Sequence, residues 1–65
     1  MWVRVNGAEH EVTAATLAEA LEQLDYDDAL VATALNGCFV PARRRGTTPI
    51  AEGDSIEVLA PKQGG

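Results

Sequence analysis

The residues Lys62-Gln63-Gly64-Gly65 carry the group of this sequence that is best suited to chemistry, a carboxylate on glycine. A carboxylate is a poor electrophile, but ATP can convert it into an acyl-adenylate, whose carbonyl carbon a sulfur or amine nucleophile can attack. Two consecutive residues without side chains allow such a terminus to enter a narrow channel. We therefore predict that residues 60–65 form a flexible tail extended over roughly 20 Å. In this tail Gly65 is the modified residue, and a partner recognises Gly64, Gln63 and Lys62.

The other reactive side chains do not form a predicted catalytic set. Ser55 and His10 are the only serine and histidine and fall in different predicted strands, so nothing supports a serine–histidine–acid arrangement. Glu52 and Asp54 flank the glycine of a predicted turn and are interpreted as solvated turn acids rather than an acid–base pair. Cys38 follows a hairpin turn within an apolar run, and we expect a half-buried structural cysteine rather than a nucleophile. The domain body is therefore not predicted to be an enzyme.

Two features of the domain body could contact a partner protein. The run Arg43-Arg44-Arg45 is the only basic cluster, and it is either a solvated loop or a docking patch for an acidic surface. Trp2 is predicted to point away from the helix, so that it either covers the sheet edge or joins a binding patch with Leu59 as its neighbour. The candidate partner surface consists of Leu59, Trp2, Arg43 and Arg44.

Length and composition limit the class of protein. With 65 residues the chain forms one domain at most, and its single cysteine excludes an intrachain disulfide. One cysteine and one histidine are too few for the usual four-ligand zinc site, so no metal is expected. The net charge of −5 argues against a nucleic-acid partner. No apolar run is long enough for a membrane span and no signal peptide is recognisable, which predicts a cytoplasmic protein and, we expect, a monomer.

The opening residues "MWVRVNGAEHEV" predict a β-hairpin. Val3 and Val5 alternate with Trp2 and Arg4, which is the period-two pattern of a strand with one buried face. The dipeptide Asn6-Gly7 is the strongest short signal for a two-residue hairpin turn. Residues 9–12 then form the predicted returning strand.

The segment "TLAEALEQL" predicts an amphipathic helix of roughly two to three turns. Thr16 and Glu19 have the spacing of a capping box, in which each side chain satisfies a free amide of the first turn. The apolar stripe consists of Leu17, Ala20, Leu21 and Leu24. The acidic residues 25–28 indicate the end of the helix and a loop.

The second half of the chain predicts another hairpin and a final strand. Asn36-Gly37 repeats the turn signal, between a strand in residues 30–35 and a return at Phe39-Val40 that Pro41 ends. A polar connection, "ARRRGTTP", leads to a turn at residues 52–54 and to a last strand over residues 55–59.

These elements together predict the fold class. One apolar helix stripe requires one sheet face to cover it, and the first and last strands can lie side by side in the middle of a mixed sheet. This is an α+β fold of the β-grasp, ubiquitin-like type, with four to five strands in the order ββαβ(β)β on one main helix. We assign it to residues 1–59, which the tail follows.

Three segments, "LNGCFVPARR", "EGDSIEVLAP" and the terminal "GG", resemble the small sulfur-carrier proteins of thiamine biosynthesis, the ThiS family. The "VNG" hairpin, the helix and the length fit the same family, so the resemblance covers essentially the whole chain. The run Arg43 to Arg45 departs from it, because a single arginine is expected close behind Pro41. Only Gly64 and Gly65 are therefore assigned a role from the family.

The resemblance implies a protein co-substrate rather than an enzyme. An E1-like adenylating enzyme of the ThiF type would form the acyl-adenylate of Gly65 with ATP and magnesium, while the carrier itself binds no cofactor. Sulfur from a cysteine-desulfurase relay would convert the adenylate into a thiocarboxylate. A thiazole synthase of the ThiG type would then use that sulfur to build the thiazole ring.

Several rival functions share this fold and ending. The small subunit of molybdopterin synthase is the nearest, although its chains are usually longer, which favours the thiamine carrier. Carriers for tRNA thiolation or cysteine synthesis, and ubiquitin-like tags, use the same terminal chemistry. A different class is a non-covalent β-grasp binding module whose terminal glycines are incidental.

Overall fold

A computed structural model describes residues 1–60 of the chain. Its elements are β1 (Trp2–Val5), β2 (Ala8–Glu11), α1 (Leu17–Gln23), β3 (Ala32–Leu35), β4 (Cys38–Val40), a 3₁₀ helix (Ala42–Thr47) and β5 (Ser55–Leu59). The order confirms the predicted succession of hairpin, helix, hairpin and strand. The polar connection between β4 and β5 contains a 3₁₀ helix that was predicted only as a loop. β3 begins later than predicted, because the amide of Leu30 is held in a turn by the carbonyl oxygen of Asp27 at 2.9 Å.

The five strands form one mixed sheet in the order β2-β1-β5-β3-β4. β1 and β5 lie side by side and parallel, with Arg4 opposite Ser55 and Val5 opposite Ile56. The two hairpins extend this central pair outwards through antiparallel ladders. The arrangement confirms the predicted β-grasp fold and places the end of β5 in the middle of the sheet.

Both hairpins turn at the predicted Asn-Gly pairs. Asn6 and Asn36 each have φ of 51°, and the glycines that follow, Gly7 and Gly37, have φ of 87° and 85°. Two successive residues with positive φ are what a type I′ turn requires, and asparagine and glycine adopt them with little strain. The turn chemistry therefore fixes the register of both hairpins.

The helix packs on one face of the sheet and forms the core with it. Thr16 caps the helix by accepting a hydrogen bond from the amide of Glu19 at 3.3 Å, and the Glu19 carboxylate accepts one from the amide of Ala15 at 2.8 Å. The predicted stripe is buried at Leu17, Ala20 and Leu21 and partly buried at Leu24. The sheet contributes Val3, Val5, Val40, Ile56 and Val58 to the same core. Among residues 1–60 no helix covers the opposite face of the sheet, which we call the open face.

Candidate functional site

The open face of the sheet carries an apolar groove next to the end of β5. Its two large side chains, Phe39 and Leu59, are 69% and 72% exposed. They lie on either side of the small residues of β3, since Ala34 is opposite Phe39 and Ala32 is opposite Leu59. Such a concentration of exposed apolar surface on a small domain is typical of a protein interface. The groove has a volume of about 250 Å³.

Strand alternation explains why these side chains are exposed. Successive residues of a strand point to opposite faces, so the core residues Val40 and Val58 place their neighbours Phe39 and Leu59 on the open face. β3 contributes only small side chains between them, which leaves the groove unfilled. Phe39 was not among the predicted partner-surface residues, although its position beside Val40 was a sequence signal for its exposure.

Two polar residues border the groove. Glu57 lies opposite Ala34 and adds an acidic group to the apolar surface. Asn6 directly follows β1, and its carboxamide forms two hydrogen bonds with the backbone of Val58. Its Nδ2 donates to the Val58 carbonyl oxygen at 3.0 Å, and its Oδ1 accepts from the Val58 amide at 2.8 Å. The groove is therefore bordered by Asn6, the residue whose side chain holds the last part of β5.

Trp2 and Leu59 are not neighbours, which corrects the predicted patch. Trp2 precedes Arg4 by two residues and Leu59 follows Ser55 by four, so the parallel register separates them by about 20 Å along the strands. Trp2 lies at the other end of the sheet, where its carbonyl oxygen accepts a hydrogen bond from the amide of Gly53 at 2.7 Å. It is 47% exposed, on the inner strand β1 rather than on an edge strand.

The three arginines do not form one docking patch. Arg43 and Arg44 are exposed, as a solvated or partner-facing pair would be. Arg45 is only 2% exposed and belongs to the structure of the domain. Its guanidinium donates to the Thr33 hydroxyl oxygen at 3.0 Å and to the carbonyl oxygens of Asp28 and Val31, each at 2.6 Å. A buried cation is tolerated here because three acceptors replace its water.

The predicted half-buried position of Cys38 is wrong. Cys38 is exposed, because it opens β4, which is an edge strand and, in the described part of the chain, pairs with β3 alone. It lies opposite Leu35 in that ladder.

The structure also keeps the other reactive side chains apart. His10 lies opposite Val3 and Ser55 opposite Arg4, so the two point to different faces of the sheet. The Glu52 carboxylate accepts a hydrogen bond from the amide of Trp2, and the Asp54 carboxylate accepts one from the amide of Ala51. Both acids therefore have a structural role at the turn.

Within residues 1–60, no group of three or more histidine, cysteine or acidic side chains is placed to hold a metal ion. No helix in that range has the length and apolar character needed to cross a membrane. The predicted tail residues Lys62, Gln63, Gly64 and Gly65 lie outside the described residues. Ala60, the last residue before them, is exposed and directly follows the groove residue Leu59.

Comparison with known proteins gives one consistent result. The model of the ThiS family matches residues 3–65. The crystal structure of the thiamine biosynthesis protein ThiS from Geobacter metallireducens is 29% identical, with a TM-score of 0.81, over 100% of both chains. An NMR structure of a thiamine biosynthesis protein from the same organism is 30% identical, with a TM-score of 0.80, over 100% of this chain and 88% of the other. No curated protein matches the sequence significantly.

Proposed function

Because the chain belongs to the ThiS family, we propose that it is a sulfur carrier whose terminal residue, Gly65, is loaded with sulfur for thiazole formation in thiamine biosynthesis. The observation that supports this most directly is that the family match runs through the final diglycine. The fold adds a second argument, since β5 leads from the centre of the sheet past an apolar groove into these residues.

The proposed chemistry takes place at the Gly65 carboxylate in two steps. An oxygen of the carboxylate attacks the α-phosphorus of ATP, and pyrophosphate leaves. Sulfide then attacks the acyl carbon as HS⁻, AMP leaves with the electrons of the carbon–oxygen bond, and the thiol proton is released to solvent. The product is a thiocarboxylate, whose sulfur is a far better nucleophile than the original oxygen and is available to a thiazole synthase.

The domain body supplies recognition in this proposal, and the partners supply catalysis. Neither the separated His10 and Ser55 nor the structurally engaged Glu52 and Asp54 supports an acid, base or nucleophile for these steps. We therefore assign ATP and magnesium to an adenylating enzyme of the ThiF type in the cytoplasm, and the carrier acts as its co-substrate. Phe39 and Leu59 are suited to dock on such a partner while the tail enters its active site.

The alternatives differ in the enzyme that receives the sulfur. The small subunit of molybdopterin synthase and the carriers for tRNA thiolation or cysteine synthesis would load sulfur in the same way. The ThiS family match favours the thiamine pathway among them. A thiamine requirement after loss of the gene supports this pathway, whereas loss of molybdopterin or of thiolated tRNA would point to one of the others.

The test is a loading reaction followed by mass spectrometry. The purified protein is incubated with ATP, magnesium, a ThiF-type adenylating enzyme and sulfide, and the intact mass is measured. We expect the mass change that corresponds to one oxygen replaced by one sulfur, located on the C-terminal peptide. A variant without Gly64 and Gly65 is the control and should remain unchanged. If an enzyme that loads another ThiS protein leaves this one unmodified, the carrier function is wrong.

A further inference from the structure

Asn6 continues the central ladder of the sheet beyond the end of β1. The last backbone hydrogen bond between these strands runs from the amide of Asn6 to the carbonyl oxygen of Ile56 at 2.9 Å. The next residue of β5 whose backbone amide and carbonyl point towards β1 is Val58. There the Asn6 carboxamide takes the place that a peptide group of β1 would have in a longer ladder. Its Oδ1 accepts from the Val58 amide and its Nδ2 donates to the Val58 carbonyl oxygen, at 2.8 and 3.0 Å. One side chain thus satisfies both backbone groups of Val58.

This contact holds the part of β5 from which the tail departs. On the β3 side, Thr33 and Ala32 pair with Val58 and Leu59. On the β1 side, β1 has already ended at Val5, and among residues 1–60 it is the Asn6 side chain that binds Val58. Leu59 is both the residue after this contact and one wall of the groove. The position of Asn6 therefore affects the groove and the origin of the tail together.

The turn and the contact to Val58 are separable roles of Asn6. The type I′ turn needs a residue that accepts the φ of 51°, which glycine and aspartate also do. The contact to Val58 needs a donor and an acceptor in one planar group, which the carboxamide supplies and neither glycine nor a carboxylate does. Asn6→Gly keeps the turn and removes the contact, and Asn6→Asp keeps the acceptor but places an oxygen against the Val58 carbonyl.

The second hairpin provides a matched control. Asn36 has the same φ of 51° and precedes a glycine in the same conformation. Its carboxamide also bonds to β5, with Oδ1 accepting from the Ser55 amide at 2.9 Å and Nδ2 donating to Asp54 Oδ1 at 3.1 Å. Asn36 therefore holds the beginning of β5 and Asn6 holds its end. Asn36→Gly likewise removes two carboxamide hydrogen bonds, at the beginning of β5 and four residues before Leu59.

We propose that Asn6 is a positioning residue for sulfur loading, which fixes Val58 and Leu59 so that the groove and the tail engage the adenylating enzyme together. The inference depends on the proposed function, since the loaded group is Gly65. Without the contact, the tail origin must be ordered at each encounter with the enzyme, and this ordering weakens binding in the ground state and the transition state alike. The expected result is a higher KM with little change in kcat.

The first measurement needs no partner. Amide hydrogen exchange of the free protein, read by NMR, should show faster exchange at Val58 in Asn6→Gly and faster exchange at Ser55 in Asn36→Gly. Unchanged exchange at Val58 in a folded Asn6→Gly protein overturns the contact itself. If the glycine variant does not fold, the wild-type protein gives the test, because among residues 1–60 the acceptor for the Val58 amide is Asn6 Oδ1. A Val58 amide that exchanges in the wild type as fast as an exposed amide overturns the contact.

The second measurement is the steady-state kinetics of loading. We expect Asn6→Gly to raise the KM for the carrier about fivefold or more, because binding must then order the segment that the two hydrogen bonds hold in place in the wild type, with kcat within about twofold. For Asn36→Gly, KM and kcat should both remain within about twofold of the wild-type values, even if the two variants lose a similar free energy of unfolding. Equal effects of the two variants overturn the positioning role. A wild-type protein that is not loaded contradicts the proposed function instead, and the exchange data then still decide whether Asn6 fixes Val58.

Discussion

Arg45 and Thr33 form a buried hydrogen bond of 3.0 Å, from the guanidinium Nε to the hydroxyl oxygen, which joins the 3₁₀ helix to β3. The same hydroxyl donates to the carbonyl oxygen of Val40 at 2.9 Å, so the contact extends to β4. The other two nitrogens of Arg45 bind Asp28 and Val31 in the loop before β3. One arginine thus connects the loop, the 3₁₀ helix and the two strands on one side of the sheet.

We predict that Arg45→Met destabilises the fold by about 2 kcal/mol, because it leaves buried acceptors without their charged donor. Methionine fills similar space, so the loss reports hydrogen bonds rather than a cavity. Chemical denaturation measures the free energy of unfolding. Arg44→Met is the matched control and should change it by less than about 0.5 kcal/mol, because Arg44 is exposed. Equal effects of the two substitutions would contradict the structural role of Arg45.

We predict that Phe39→Ala weakens loading by the adenylating enzyme without weakening the fold. Phe39 is 69% exposed, so its truncation removes little packing within the domain. As an apolar anchor in an interface it is expected to lower kcat/KM about tenfold, which corresponds to roughly 1.4 kcal/mol. Leu30→Ala is the control, because Leu30 is 51% exposed but does not line the groove. If the Phe39 variant is loaded as fast as the wild type, the groove is not the docking surface.

We predict that the thiol of Cys38 reacts with a thiol reagent in the folded protein about as fast as in denaturant, because the residue is exposed on the edge strand. Cys38→Ser should fold and accept sulfur at the wild-type rate, since the proposed chemistry occurs at Gly65. A colorimetric thiol assay and the loading assay measure the two results. Protection of the thiol in the native state would contradict its exposure, and loss of loading in Cys38→Ser would give Cys38 a role in sulfur transfer.

Local patterns in the sequence were sufficient to predict most of the fold. Asn6-Gly7 and Asn36-Gly37 predicted both hairpins, because a type I′ turn depends on the backbone preferences of two adjacent residues. The spacing of the apolar stripe in residues 17–24 predicted the helix and its buried face. The need to cover that stripe with one sheet was compatible with β1 and β5 side by side in its middle, and the structure has this pair.

Features that depend on which strands are neighbours were not predictable in the same way. The groove between Phe39 and Leu59 exists because β3 separates β4 from β5, and alternation along a single strand does not specify that order. Arg45 looks like Arg43 and Arg44 in the sequence, and only the acceptors from distant segments distinguish it. The separation of Trp2 from Leu59 likewise follows from the parallel register.

We predict that Gly64→Ala leaves the domain folded but slows its loading, because a methyl group next to the reacting residue narrows the fit of the tail in the active site of the adenylating enzyme. If the Gly65 carboxylate is displaced from the reacting phosphate, the chemical step slows, so kcat should fall by about tenfold or more. Gly46→Ala tests whether the substitution of a glycine itself matters, since Gly46 is an exposed residue of the 3₁₀ helix and a Cβ there meets no atom within 4 Å. Single-turnover loading separates chemistry from binding. A Gly64→Ala variant that forms the thiocarboxylate as fast as Gly46→Ala would show that the enzyme does not require a side-chain-free residue at position 64.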